Sequence, residues 1–262
     1  VFDIEGNRPL QKVYEIMEFS FVEEDIRSAS EDEQSSHIAF WLEREKKAAF
    51  DWKNGPLFKI HIHRRTGESF QISLSFHHAI LDGWSVAILM SKIGQYYYAI
   101  LQGKTLPRPQ PNWGLRDAIA LEQEALRNEK FKSYWEKKLC GAPLHQLERK
   151  RSENGERKLI QNEVLLVQNV EKFSSKLIDL ARELNVPVHH VLMAVHLKVI
   201  SIASGRSKVI SSVVNNTRPG SQNSQDTLGL FLNSLPLYLK LPSGTWKQLI
   251  HHVSSEMMEV LD

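Results

Sequence analysis

The hydrophobic pattern of the chain changes its period near residue 77, which predicts a β-hairpin followed by a helix. Apolar and polar residues alternate over 57–64 and 70–76, on either side of the turn Thr66-Gly67-Glu68. This alternation predicts two antiparallel strands with one apolar face in the core and one polar face. Between residues 86 and 100 the apolar positions recur every three or four residues, as on one face of a helix. The residues between them, His77 to Gly83, are therefore predicted to lie on a strand-to-helix turn.

The remaining patterns predict strands and helices in mixed order. Strands are predicted at 12–18, 160–168, 209–214 and 235–241, and helices at 34–50, 173–184, 188–203 and 246–261, with one or two more helices over 115–139. Alternating prolines at 107–111 predict an extended connector. The polar stretch 145–158 predicts a boundary between two lobes, formed by residues 1–150 and 151–262. We therefore expect a mixed α/β fold whose sheets are not purely parallel.

Composition narrows the classes of function. The 262 residues are 42% hydrophobic, which is enough for a sizeable core, and the net charge of +2 predicts no nucleic-acid partner. The single cysteine, Cys140, and the lack of Cys/His pairs at zinc spacing predict neither a disulfide nor a structural metal. No apolar stretch reaches the roughly 18 residues of a membrane span. These features predict a cytoplasmic protein that does not bind a membrane.

The turn at 77–83 contains the strongest candidates for chemistry. Histidine accepts and returns protons near neutral pH, and a strand-to-helix turn can present His77 or His78 to a cleft. Gly83 permits a positive φ or close approach by a substrate. A histidine pair at a strand end is also a common hydrogen-bonded structural feature, and Asp82 can equally hold the loop by pairing with an arginine. The residue types alone leave both interpretations open.

Longer motifs extend the picture. The stretch 77–85, His-His-Ala-Ile-Leu-Asp-Gly-Trp-Ser, resembles the H-H-x-x-x-D-G-x-S signature of nonribosomal peptide synthetase condensation domains. Four further stretches resemble motifs of that family in the same order: 114–118, 134–139, 212–219 and 228–236. In the first of them, Leu115 replaces the usual tyrosine. The resemblance covers essentially the whole chain. Because family motifs are expected before Val1 and after Asp262, it implies a piece of a larger domain.

The resemblance implies a chloramphenicol acetyltransferase-like fold, with two lobes in a V and an active-site tunnel between them. The implied reaction is amide formation between two substrates held on phosphopantetheine arms. Upstream and downstream peptidyl carrier proteins would supply the arms, an adjacent adenylation domain would share the assembly line, and the domain itself would bind neither a cofactor nor a metal.

The resemblance also implies roles for individual residues. His78 would act as a base or would position the attacking amine, with support from His77, Asp82 and Gly83. The arginine partner of Asp82 is expected before Val1, while Arg218 is expected to fix a turn. The residues expected to line the tunnel are Trp84, Ser85 and Asn233.

Three alternatives remain open at this stage. An epimerisation domain shares the histidine signature but needs a second base. A stand-alone acyltransferase of the same fold usually carries only the second histidine. A non-catalytic docking domain tends to lose the central residues, whereas His78, Asp82 and Gly83 are intact here.

Overall fold

The computed structural model describes residues 1–6, 9–14, 17–106, 114–143, 171–218 and 222–261. They form two compact units, Val1–Asp117 with Arg218–Phe231, and Ala118–Thr217 with Leu232–Asp262. The predicted lobe boundary between residues 150 and 151, the connector at 107–111 and the strand at 160–168 lie outside the described residues. The mixed α/β organisation predicted from the sequence is confirmed.

The strands and helices follow each other in mixed order along the described chain. The strands are β1 (Phe2–Asp3), β2 (Leu10–Gln11), β3 (Ser20–Asp25), β4 (Phe58–Arg64), β5 (Phe70–Phe76), β6 (Lys208–Asn216) and β7 (Leu232–Lys240). The helices are α1 (Glu31–Lys47), α2 (Gly83–Leu101), α3 (Leu115–Leu126), α4 (Glu129–Lys138), α5 (Glu171–Glu183), α6 (Val188–Ser204), α7 (Gln222–Gln225) and α8 (Trp246–Leu261).

The first unit is built on the three-stranded sheet β3-β4-β5. The predicted hairpin is confirmed, since β4 and β5 pair antiparallel from Phe58 opposite Phe76 to Arg64 opposite Phe70. β3 adds to the other edge of β4 in parallel. The strand predicted at 12–18 is wrong for its described residues, because the strand that joins the sheet begins only at Ser20. Acidic residues at 23–25 conceal it from a search for apolar alternation.

The polar face of the hairpin is buried, which corrects the expectation that only its apolar face lies in the core. Helix α1 covers it, and His61, His63 and Ser73 are all buried. Trp41 of α1 lies with its ring centroid 4.8 Å from that of His61. Glu45 of α1 accepts hydrogen bonds from Lys59 Nζ at 2.7 Å and Ser75 Oγ at 3.1 Å. Helix α1 thus supplies this face with apolar surface at Trp41 and with a carboxylate partner for Lys59 and Ser75.

The second unit packs three helices against a two-stranded sheet. β6 and β7 pair antiparallel, and α5, α6 and α8 bury their apolar faces against the same core. Val209, Leu237 and Val253 have no exposed surface. The predicted helices at 173–184, 188–203 and 246–261 are confirmed as α5, α6 and α8, with shifts of at most two residues at their ends.

The length and composition of the helices bear on whether any of them could cross a membrane. Within the described ranges, no single helix is long and apolar enough to cross a membrane. Only α5 and α6 taken together reach that length and composition, and they meet at an angle of 105°. Much of the apolar surface of α6 faces the core of the second unit instead.

Candidate active site

Backbone hydrogen bonds hold the start of the turn between β5 and α2, and one side chain holds its end. The His77 N–H donates to the Leu57 carbonyl at 2.9 Å, and the Ile80 N–H donates to the His77 carbonyl at 3.1 Å. Asp82 is the N-cap of α2, and its carboxylate accepts from the Ser85 N–H at 2.7 Å. A carboxylate at this position satisfies a free N–H of the first helical turn. The motif therefore lies on the strand-to-helix turn predicted from the sequence.

The two histidines of the turn have different surroundings. His77 is packed edge-on against Trp52, with ring centroids 4.3 Å apart, and its Nδ1 accepts from the Ala79 N–H at 3.1 Å. This bond places any ring proton of the neutral His77 on Nε2. His78 is exposed, lies 6.4 Å from the Phe76 ring, and has no hydrogen bond to another described residue. His77 is thus fixed in the fold, whereas the ring of His78 is available to a ligand.

Asp82 is fully buried and pairs with Arg218. Its carboxylate lies 3.2 and 3.4 Å from Arg218 Nη2 and also accepts from the Phe231 N–H at 3.1 Å. The arginine partner expected before Val1 is therefore found within the chain, 136 residues after Asp82. The Asn-Thr-Arg-Pro motif at 216–219 contained the signal, but spacing along a sequence does not reveal which turn an arginine reaches.

Arg218 joins the turn to the segment Arg218–Phe231. Its Nη1 donates to the Ser224 carbonyl at 3.2 Å and to the Thr227 carbonyl, and its Nη2 donates to Ser85 Oγ at 2.7 Å. The guanidinium carbon lies 3.9 Å from the centroid of the Phe231 ring. Buried guanidinium groups are stable when acceptors and an aromatic face replace their water.

Ser85 and Gly229 complete the connection. Ser85 Oγ donates to the Gly229 carbonyl at 2.7 Å and accepts from the Gly229 N–H at 3.0 Å. The Asp82 N–H donates to the same carbonyl at 3.0 Å. We call Asp82, Ser85, Arg218, Gly229 and Phe231 the buried latch. These contacts fix the C-terminal end of the histidine turn.

The buried latch keeps Asp82 ionised. Burial acts to raise the pKa of Asp82, but the hydrogen bonds from the Ser85 and Phe231 N–H groups and the nearby Arg218 guanidinium outweigh it. The pKa of Asp82 therefore lies below its ordinary value of 3.8. A carboxylate held in this way serves structure rather than proton transfer near neutral pH.

The other predicted site residues lie in different settings. Gly83 begins α2 without a positive φ, and a Cβ there would meet nothing within 4 Å. Trp84 is 53% exposed, and its indole N–H donates to the Gln225 carbonyl at 3.3 Å. Ser85 is fully buried, and its hydroxyl bonds Gly229 and Arg218 within the latch, while its place along a tunnel stays a prediction. Asn233 is exposed on β7 of the second unit, where its side chain accepts from the Ser234 N–H at 2.8 Å.

Comparison with known proteins identifies the family. The family model for the condensation domain matches residues 1–262. The chain is 29% identical over 245 residues to AMB antimetabolite synthetase AmbE of Pseudomonas aeruginosa, a match that covers 91% of the chain and 11% of that protein. The first condensation domain of the calcium-dependent antibiotic synthetase aligns with a TM-score of 0.70 and 20% identity, over 91% of the chain and 55% of that domain.

A structure from a related class fits comparably. The epimerization domain from the third module of tyrocidine synthetase B aligns with a TM-score of 0.76 and 16% identity, over 99% of the chain and 60% of that domain. At such identities the two structures establish the fold alone, and the predicted chloramphenicol acetyltransferase-like fold is confirmed. The V arrangement and the tunnel stay predictions.

Proposed function

The chain belongs to the condensation domain family, and on this premise we propose that it joins two carrier-bound substrates through an amide bond. The α-amine of a downstream aminoacyl group attacks the carbonyl carbon of an upstream acyl or peptidyl thioester. The C–N bond forms, the C–S bond breaks, and the upstream phosphopantetheine thiol leaves with a proton. Upstream and downstream peptidyl carrier proteins bring both arms, and an adjacent adenylation domain loads the acceptor, so the reaction draws no cofactor from this chain.

The observation that carries the proposal is the exposure of His78 on a turn that is otherwise rigid. His77 is fixed by Trp52 and the Ala79 N–H, and the carboxylate of Asp82 is fixed by the buried latch. His78 lies between these two anchors with its ring exposed. Preorganisation of this kind is what a group needs in order to hold a reactant in line for attack.

Two actions of His78 are compatible with this geometry. As a general base it removes the proton of the attacking amine, which typically accelerates a reaction by about 10²–10⁴. As a hydrogen-bond acceptor it orients the amine without becoming protonated. The open space above Gly83 allows a substrate to approach the backbone closely. The exposed side chains of Trp84 and Asn233 are proposed to contact the substrate arms.

Product analysis with loaded carriers tests the proposal. The donor and acceptor carriers of the same assembly line are loaded by their adenylation domains, the full-length protein is added, and the acceptor carrier is analysed by mass spectrometry. We expect condensed product on the acceptor arm. His78→Ala should reduce the rate of its formation by about 100-fold or by a larger factor. His251→Ala, which removes an exposed histidine of α8, is the matched control and should leave the rate unchanged.

Three outcomes separate the candidate functions. Unchanged product formation by the His78→Ala variant would contradict the assignment of His78. Incorporation of solvent deuterium at the α-carbon of one loaded substrate, without a new amide, would favour epimerisation. The tyrocidine synthetase epimerization domain, which has a similar fold, motivates this alternative. Capture of a carrier by both the parent and His78→Ala, with turnover by neither, would favour a docking domain.

A further inference from the structure

Four titratable side chains meet on the α1 side of the first unit's sheet, away from the histidine turn. Glu24 of β3 stands opposite His63 in the parallel register of β3 and β4. His61 and His63 are two residues apart on β4, so both point to the same face. His37 of α1 approaches Glu24 from above. Nothing in the proposed amide chemistry uses these groups.

The distances within the cluster are close to those of a metal centre. One ligand atom from each of Glu24, His61 and His63 lies within 4.8 Å of the other two. Glu24 Oε2 lies 3.2 Å from His61 Nε2 and 3.7 Å from His63 Nε2. Tetrahedral Zn²⁺ with bonds near 2.0–2.1 Å holds its ligand atoms about 3.3 Å apart. Small rotations of the two imidazole rings therefore bring the three atoms to metal-binding separations.

The burial of His63 is not explained by hydrogen bonds to other described residues. It is 0% exposed, and neither of its ring nitrogens has a hydrogen-bond partner among the described residues. A buried imidazole in this state is unfavourable unless another group binds it.

We propose that Glu24, His61 and His63 form a binding site for a Zn²⁺ ion. Two imidazoles and one carboxylate are a common protein ligand set for zinc, and the hard cations Mg²⁺ and Ca²⁺ prefer oxygen ligands throughout. His37 Nε2 lies 3.0 Å from Glu24 Oε1 and holds the carboxylate in place, as outer partners of metal ligands usually do. The Glu24 side chain is 38% exposed, which gives an ion a path from solvent.

Trp41 encloses the inner side of the site. Its ring centroid lies 4.8 Å from that of His61 and 5.7 Å from that of His63. An ion in this position would join β3 to β4 beneath α1, so the site stabilises the first unit rather than taking part in amide formation. The sequence signal for it is the His-x-His alternation at 61–63, which a search for Cys/His pairs at finger-like spacing passes over.

Cobalt spectroscopy of the full-length protein tests the site directly. The protein is treated with a chelator, exchanged into metal-free buffer and titrated with Co²⁺ and then Zn²⁺, with Mg²⁺ as the hard-cation control. We expect one Co²⁺ per site with the visible absorption of four-coordinate cobalt, loss of that absorption on addition of Zn²⁺, and no response to Mg²⁺.

Paired variants assign the signal to the cluster. Glu24→Gln and His63→Gln change proposed ligands and should weaken Co²⁺ affinity by more than the roughly 10–100-fold that loss of an outer-shell partner costs. Glu23→Gln changes the neighbouring residue, which points to the other face and pairs with Arg64 at 3.3 Å, and should bind as the parent does. If His63→Gln does not fold, the partly exposed Glu24→Gln decides the matter. Absence of the absorption in the folded parent, or equal affinity of Glu24→Gln and the parent, would overturn the proposal.

Discussion

Replacing Asp82 with alanine tests whether the buried latch holds the histidine turn. The substitution removes the carboxylate that accepts from the N–H groups of Ser85 and Phe231 and that neutralises the guanidinium of Arg218. The Arg218 side chain is 1% exposed, so water does not replace the lost partner. Breaking one side of a buried ion pair typically costs about 3–5 kcal/mol.

The remaining acceptors of the guanidinium place the expected loss at the lower end of that range. Arg218 keeps its bonds to the carbonyls of Ser224 and Thr227 and to Ser85 Oγ in the variant. We therefore expect Asp82→Ala to lower the free energy of unfolding by about 3 kcal/mol. Urea denaturation measures the loss, and hydrogen exchange at the Ser85 and Phe231 amides shows whether it is local.

An exposed acidic residue of the segment Arg218–Phe231 serves as the control. Asp226 pairs with Lys92 at 3.4 Å but is 70% exposed, so Asp226→Ala should cost less than about 1 kcal/mol. If urea denaturation gives Asp82→Ala a free energy of unfolding within about 1 kcal/mol of that of the parent, the latch does not hold the turn. Combining Asp82→Leu with Arg218→Met should cost less than the sum of the two single changes, because no buried charge is left alone.

The pH dependence of stability provides a second test of the pair Asp82 and Arg218. The pKa of Asp82 is lower in the folded protein than the ordinary value of 3.8, so its contribution to stability is complete above about pH 4. It is lost as the pH falls below 4 and through the folded pKa, where the carboxylate takes up a proton. Stability should therefore fall more steeply on acidification in the parent than in Asp82→Ala.

Three further substitutions test packing and a partly buried charge. A Cβ on Gly229 would lie 2.8 Å from Phe231 Cε2, so Gly229→Ala should destabilise the protein by about 1–3 kcal/mol, whereas Gly94→Ala inside α2, where nothing lies within 4 Å, should stabilise it by about 0.5–1 kcal/mol. Lys138→Met removes an ammonium group 2.7 Å from Glu256 and should cost about 1–3 kcal/mol. Thermal and urea unfolding measure all three, and equal stability of the two alanine variants would contradict the packing argument.

Sequence patterns predicted the elements whose apolar positions repeat strongly. The hairpin β4-β5 and the helices α2, α6 and α8 carry regular apolar faces, and their predicted bounds agree with the structure to within a few residues. β3 was missed because its three acidic residues at 23–25 hide the alternation. It joins the sheet through backbone hydrogen bonds to β4, which do not depend on side-chain type.

The site was only partly predictable because its parts come from distant stretches of the chain. The turn carrying His78 follows from local pattern, whereas the N-cap position of Asp82 emerges only from the structure. The partner of Asp82 lies 136 residues away, and a single sequence gives no measure of such a distance in space. The burial of His63 also depends on α1 covering a face that reads as polar along the strand.

The first unit is discontinuous in the chain, and this affects the order in which it can form during synthesis. Residues 218–231 belong to it, although the strands on either side, β6 and β7, belong to the second unit. A ribosome that has produced the histidine turn must add more than a hundred further residues before Arg218 emerges. Until then Asp82 has no guanidinium to neutralise it, so the nascent turn stays hydrated and the first unit is completed only after much of the second has been translated.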